Sequence, residues 1–271
     1  MADPKVESRR VIRVAQGRRD PFEDQVAVER ALEIRVGGRP LAVTLRTPGN
    51  DEELALGFLA GEGILRGPED VTAVALRSAS CADEADEVEI HLALGVTMDW
   101  TRLERHFAAT AACGLCGRAH LESLRAGLRP IAPGPPLDPE ALAALPARMR
   151  EAQSAFEATG GLHAAALLDP GLGFRVLRED VGRHNAVDKV AGWMLRQGRY
   201  PAAAGVLWVS GRAGAEIVLK AARARIPVLA AVGAPSTLAI ELAEAAGMSL
   251  IGFLREGRMN VYAGQERLPM S

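Results

Sequence analysis

The chain has 271 residues, enough for one large domain or two modest ones with an ample core. Hydrophobic residues make up 48% and charged residues 24%, and the net charge of −2 argues against a general nucleic-acid binder. No apolar run reaches the roughly 18 residues a membrane helix needs. The first ten residues, MADPKVESRR, lack the apolar stretch of a secretory signal, so the cytoplasm is the expected compartment.

In chain order, residues 1–20 read as a loose arm with one short strand, VIRVA. QVAVERALEIRV and RPLAVTLR flank Gly37-Gly38, a two-residue hairpin signal. Asn50 and Asp51 stand where they can cap a helix through DEELALGFLAGEG. TAVALRS and DEVEIHLAL alternate as strands. Residues 1–105 therefore form a strand-rich N-terminal subdomain. A second segment, 106–137, holds a CxxC loop, a short helix and the Pro-rich connector RPIAPGPPLDP. TRLERHFAAT and AHLESLRAG on either side of the cysteines both read as helical.

A third segment, 138–271, changes texture. Asp138 caps a helix with Pro139 at its first position, and Pro146 predicts a kink. LHAAALLD and FRVLRE predict a hairpin around DPGLG. HNAVDKVAGWMLRQG is an amphipathic helix with Val187, Val190, Ala191, Met194 and Leu195 on one stripe. Strands and helices then alternate: GVLWVS, AGAEIVLKAARAR, IPVLAAV, STLAIELAEAAG (capped by Ser236), SLIGFLR and MNVYA. The fold class is α/β, α+β over the whole chain. A strand-rich N-terminal part is followed by a parallel or mixed sheet with covering helices.

Ligands of open α/β sheets bind beyond the carboxyl ends of the strands. Three such ends lead to Ser210-Gly211-Arg212, to Gly233-Ala234-Pro235-Ser236-Thr237, and to Arg255-Glu256-Gly257-Arg258. Small residues, hydroxyls and guanidinium groups there form a candidate phosphate or nucleotide cradle. The competing reading is a set of ordinary capped turns. Neither a GxGxxG nor a GxxxxGK[ST] motif occurs. A second cluster, REDVGRHNAVDKV at 178–190, gathers Glu179, Asp180, Arg183, His184, Asn185, Asp188 and Lys189, and reads equally as a site or a capping loop. His163 reads as a satisfied strand residue.

Cys113 and Cys116 lie in AACGLCGRAH, and the chain has three cysteines, an odd number that does not suggest a disulfide framework. Four readings compete. Zinc needs further ligands from His120, Cys81 or His106, because no second CxxC exists. Dithiol exchange lacks a thioredoxin-like unit around the pair. Two buried thiols fit poorly beside two glycines and Arg118. Sulfur carriage needs an exposed, ionised thiol on a segment free to swing; Arg118 and a following helix would favour the thiolate, and Gly114 and Gly117 would free the backbone. A zinc deaminase is excluded by motif order: its signature wants H-x-E before P-C-x-x-C, whereas here the dithiol precedes His163 and His184, neither is followed by x-Glu, and no proline directly precedes Cys113.

Taken together, ELALGFLAGEGI, CGLCG, TGGLHAAAL, EDVGRHNAVDKV, SGRAGAEIVLKAARARIPVLAAVGAPSTLAIELAEAAG and LIGFLREGRMNVY resemble the formate dehydrogenase accessory sulfurtransferases (FdhD). The resemblance implies a carrier that takes sulfur from a cysteine desulfurase as a persulfide. It would deliver that sulfur to the molybdenum (or tungsten) bis-guanine-dinucleotide cofactor destined for the catalytic subunit of formate dehydrogenase. It places the persulfide on Cys113, an auxiliary thiol on Cys116, and the cofactor, as cargo, on Phe253, Leu254, Arg255, Glu256, Gly257 and Arg258. The residue pattern adds Ser210, Gly211, Arg212 and Ser236 to that cradle. The resemblance further implies a homodimer and a cytidine-deaminase-like later half without zinc; no nucleic-acid partner, membrane partner or resident metal is expected. The alternative is a non-catalytic chaperone that holds the cofactor, its cysteines structural or bound to zinc.

Overall fold

The computed structural model describes residues 3–81, 84–100, 128–132, 134–202 and 204–268. The CGLCG segment and its two expected flanking helices lie outside the described residues. Within them the chain builds three sheets and seven α-helices.

The N-terminal arm is more ordered than its sequence suggests. β1 (Val6–Ala15) pairs antiparallel with β2 (Arg18–Ala27) as a ten-residue ribbon. The turn between them uses Gln16 at φ 50 and Gly17 at φ 76, the left-handed geometry of a two-residue hairpin. Charged side chains line both faces, so no apolar alternation announced the pairing. The expected strand QVAVERALEIRV is accordingly split, its first residues ending β2 and its last forming β3 (Arg30–Val36).

The second sheet has the order β4-β3-β6-β5, with β4 at Arg39–Arg46, β5 at Val71–Arg77 and β6 at Asp86–Leu92. Gly37 and Gly38, both at positive φ, make the predicted β3–β4 turn. Leu32, Ile34, Val88 and Ile90 bury the inner face completely. Helix α1 (Asp51–Gly61) starts without the expected side-chain cap. Asn50 sits there in the left-handed region and its side chain makes no capping bond, while the Asp51 carboxylate is drawn to Arg46, whose Nη2 lies 2.8 Å from Asp51 Oδ2.

The segment over the far face of the third sheet breaks into α2 (Pro139–Ala143), α3 (Leu145–Glu151) and α4 (Ser154–Thr159). Asp138 accepts a hydrogen bond from the Glu140 N–H (2.9 Å), the expected cap. The first break falls just before Pro146, which cannot continue the helical hydrogen-bond ladder.

The third sheet has the order β12-β11-β10-β9-β7-β8. Its strands are β7 (His163–Leu168), β8 (Phe174–Asp180), β9 (Val206–Val209), β10 (Val228–Ala231), β11 (Ser249–Arg255) and β12 (Arg258–Ala263). β9, β10 and β11 are parallel neighbours; β7 and β12 run against them. β8, antiparallel to β7, therefore runs with the parallel set. The sheet is mixed, and the carboxyl ends of β8, β9, β10 and β11 share one edge. From that edge start α5 (Arg183–Arg196), α6 (Ala215–Arg223) and α7 (Thr237–Ala246).

Both sheet faces are apolar, as short, fully hydrophobic strands require. Leu207, Val209, Leu229, Ala231 and Leu250 face the core shared with α1, α5, α6, α7 and the second sheet. Val206, Trp208, Ala230, Ile251 and Leu254 face a smaller core closed by Leu142, Leu145 and Met149. One core thus joins residues on both sides of the 106–137 segment.

That joint has a specific lock. α1 and α5 cross so closely that a Cβ on Gly57 would stand 1.7 Å from the Asp188 carbonyl oxygen, and one on Gly192 would stand 1.8 Å from the Glu53 carbonyl oxygen. Each helix offers its glycine to the other's backbone four residues upstream of the partner glycine. Only glycine permits such an approach. No helix among the described residues is long and apolar enough to cross a membrane.

Candidate functional site

The loops after β9, β10 and β11 are stitched into one continuous floor. Gly233 N–H donates to the Gly211 carbonyl (2.9 Å), Ala213 N–H to Ala234 (3.1 Å), and Phe253 N–H to Gly233 (3.1 Å). A Cβ on Gly233 would come within 2.8 Å of the Gly211 oxygen, so glycine is required by the approach of the two loops. The three strand ends named from the sequence are therefore neighbours in space.

The expected residues play different parts. Ser210 Oγ accepts from the Ala164 N–H (2.9 Å), which ties β9 to β7. Ser236 Oγ accepts from the Ala239 N–H (3.2 Å) and caps α7, as predicted. Leu254 is fully buried in the smaller core and seats the hairpin rather than facing outward. Phe253 is 43% exposed and adopts φ 50, a region that bulky L-residues rarely enter. Beyond it, Glu256 and Gly257 form the turn, with Gly257 at φ 74, and place Arg255 directly opposite Arg258 across the strands.

Like charges opposite each other in a sheet repel. Arg183, Arg212, Arg255 and Arg258 are all exposed. Within the described residues none of the four side chains forms a salt bridge or hydrogen bond. α5 and α6 begin at Gly182 and Gly214 with no side-chain cap, so their first N–H groups also face this edge. The floor is linked to α5 through Gly211, where a Cβ would stand 3.5 Å from His163 Nδ1 and 3.9 Å from Arg183 Cβ. Burial, then the charges of Arg183 and His184, hold the His163 imidazole below its ordinary value, so it contributes a neutral ring. His184 Nε2 lies 3.0 Å from Glu216 Oε2 on α6. That bond holds the Glu216 carboxyl below its ordinary value. Glu216 carried no sequence signal beyond its place in the first turn of an uncapped helix.

The second polar cluster divides. Arg183 and His184 face the strand ends, whereas Asp180, Asn185, Asp188 and Lys189 turn inward. Asp180 and Lys189 form a fully buried pair at 2.7 Å. Asp180 also accepts from the Thr47 N–H (3.2 Å), the Gly182 N–H (2.8 Å) and Asn185 Nδ2 (3.0 Å). Lys189 Nζ donates to the Thr47 carbonyl (2.8 Å), and Asn185 Nδ2 to the Leu45 carbonyl (2.8 Å). The knot fastens the end of β4 to the third sheet. Asp188 pairs with Lys220 Nζ at 2.6 Å between the helices. Burial pushes the Asp188 carboxyl up, and Lys220 offsets part of that.

Only Lys5, Lys189 and Lys220 are lysines in a chain with 32 basic residues. Each lies against a carboxylate no more than 3% exposed: Glu179 at 3.9 Å, Asp180 and Asp188. A compact ammonium fits these gaps; a five-donor guanidinium would leave donors unmet.

Away from the strand ends, a cavity of about 750 Å³ opens beside Arg30, Arg46, Ser78, Ser80 and Cys81. Cys81 is exposed. Cys113 and Cys116 lie outside the described residues, as do the other proposed zinc partners, His106 and His120. Among the described residues no group of three or more His, Cys, Asp or Glu side chains is placed to hold a metal.

Fold and site together define a mixed α/β protein with an open, cationic strand-end surface. The family model for the FdhD/NarQ family matches residues 27–269. The sulfur carrier protein FdhD of Streptomyces avermitilis is 47% identical over 270 residues, spanning 97% of this chain and 96% of that protein. The protein of the same name from Mycobacterium tuberculosis is 46% identical over 256 residues, 90% of this chain and 92% of that one. The crystal structure of a candidate formate dehydrogenase accessory protein from Desulfotalea psychrophila superposes with a TM-score of 0.77, at 24% identity, over 98% of this chain and 100% of that chain. The chain belongs to the FdhD/NarQ family.

Proposed function

We propose that this protein is a sulfurtransferase that carries sulfur as a persulfide on Cys113 and delivers it to a molybdenum or tungsten bis-guanine-dinucleotide cofactor bound at the strand ends. A cysteine desulfurase supplies the sulfur, and the catalytic subunit of formate dehydrogenase receives the sulfurated cofactor. Cys116 serves as the auxiliary thiol, and the carrier acts as a homodimer in the cytoplasm. The likeness of the later half to a deaminase-type α/β fold belongs to the same reading. The names of the relatives, sulfur carrier proteins at nearly half identity, support the carrier role.

The observation that carries the cargo site is the opposed pair Arg255 and Arg258 beside Phe253. Two unpaired arginines at directly opposed strand positions are unfavourable alone and favourable around a pyrophosphate. An exposed aromatic in a strained backbone beside them is suited to stack on a guanine. Arg212 and Arg183 continue the cationic row toward α5.

Chemically, the perthiol formed on Cys113 is a stronger acid than the thiol, so it travels as an anion toward an edge of matching charge. The arginine row would hold the dinucleotide while its metal centre is presented to the perthiolate. Titration with GDP, one half of the dinucleotide in miniature, tests the site. Arg258→Ala is expected to weaken GDP binding about tenfold. An unchanged affinity would move the site away from the hairpin, to Ser210–Arg212.

A further inference from the structure

On this edge one acidic side chain is already engaged with a basic group of the row. Glu216 stands in the first turn of α6, and its Oε2 lies 3.0 Å from His184 Nε2 in the first turn of α5. The contact bridges the two helix starts on either side of Gly211. The Glu216 side chain is 64% exposed, so no core packing forces it there. Its carboxylate ordinarily sits below its free value because of the His184 bond, with Lys220 and Arg183 adding to the effect. Arg183 acts on Glu216 through its charge without a salt bridge or hydrogen bond, and the Arg212 side chain forms neither among the described residues. Glu216 thus already occupies a basic partner, under the charge of Arg183, at the helix starts where the strand-end edge meets α5 and α6.

We propose that Glu216 is an internal competitor for the anion site: its carboxylate holds His184 in the empty protein and must be displaced when a phosphate-bearing ligand arrives. The inference rests on the reading of the strand ends as the cargo site. Its consequence is a carrier that holds its cargo less tightly than the arginine row alone would allow, which suits a protein that must also let go. The carboxylate would oppose every added ligand charge, so phosphates are affected and an uncharged nucleoside is not. Two unit charges about 4 Å apart in a watery setting interact by an amount worth roughly fivefold in affinity.

The test is calorimetric titration of the full chain with GDP and, separately, with guanosine. Glu216→Gln and Glu216→Ala are both expected to bind GDP about fivefold more tightly than the parent, with guanosine binding and the ligand-free melting temperature unchanged. If the parent binds GDP and neither variant binds it more tightly, the competitor role is wrong while the cargo site stands. If both variants lose affinity for GDP and guanosine alike, Glu216 reads the base and the competitor role is again wrong. If the parent binds no GDP, the cargo site fails and the competitor role falls with it.

Discussion

Two regions of this molecule handle charge in opposite ways. Along the seam between the second and third sheets, cations are largely buried and closed by carboxylates, at 2.7 Å (Lys189–Asp180), 2.6 Å (Lys220–Asp188) and 2.6 Å (Arg178–Glu53). Along the strand ends, Arg183, Arg212, Arg255 and Arg258 are exposed and form no salt bridge or hydrogen bond through their side chains among the described residues. A charge that is paired and hydrogen-bonded inside the protein fixes structure, and removing one partner strands the other. A charge left open at the surface contributes little to folding and is available to a ligand. The seam is therefore read as scaffold and the strand ends as site.

The largest expected effect breaks the seam at its tightest point. Gly192→Val should prevent stable folding, because even a methyl group would overlap the Glu53 carbonyl. Circular dichroism melting checks this, and a near-parental transition would mean the two helices are not in contact. Asp180→Ala comes next. It leaves Lys189 buried and unpaired, with an expected loss of about 3–5 kcal/mol in denaturant unfolding.

Swapping the two basic residue types sharpens the contrast. Lys220→Arg forces a larger head into a gap where Gly61 already stands close, a Cβ there falling 2.7 Å from Lys220 Nζ. It should cost about 2 kcal/mol of stability. Arg212→Lys should change stability by less than about 0.5 kcal/mol, as surface changes do. It should nevertheless weaken GDP binding roughly threefold, through loss of the planar fork.

The smallest effect is in acid. Asp86 is pushed up by burial, but the Ala79 N–H and Arg46 prevail and hold it below its ordinary 3.8. A carboxyl lowered in the folded state stabilises fully above that ordinary value and loses the contribution as the pH falls through its folded value. Asp86→Asn should therefore lower stability at neutral pH and flatten the acid limb of the stability profile below pH 3.8. An acid limb as steep as the parent's would assign that sensitivity to other groups.

How much of this was legible in the sequence follows from how each part is buried. The third sheet was readable because GVLWVS and IPVLAAV are short and wholly apolar, and their spacing allows little but strand–helix alternation. Its carboxyl ends, and with them Arg212, Arg255 and Arg258, followed from topology; Arg183, read in the separate 178–190 cluster, joins them only in the structure. The β1–β2 ribbon was not readable, because a strand exposed on both faces has no period to detect and its Gln16–Gly17 turn lacks the usual Asn or Asp. The buried pairs were hidden for the opposite reason: Asp188 and Lys189 stand among polar residues that a periodicity argument assigns to solvent. Two signals could have exposed them. One is the scarcity of lysine in an arginine-rich chain. The other is the repeated spacing of an acid and a glycine four residues later, Glu53 with Gly57 and Asp188 with Gly192.

The most direct test of the carrier role is intact-protein mass spectrometry after incubation with a cysteine desulfurase and free cysteine. The account predicts a gain of one sulfur atom on the parent chain, localised by peptide mapping to Cys113, removed by thiol reductant and absent from Cys113→Ala. An unmodified parent chain, or a zinc ion bound by the two cysteines in its place, would contradict it.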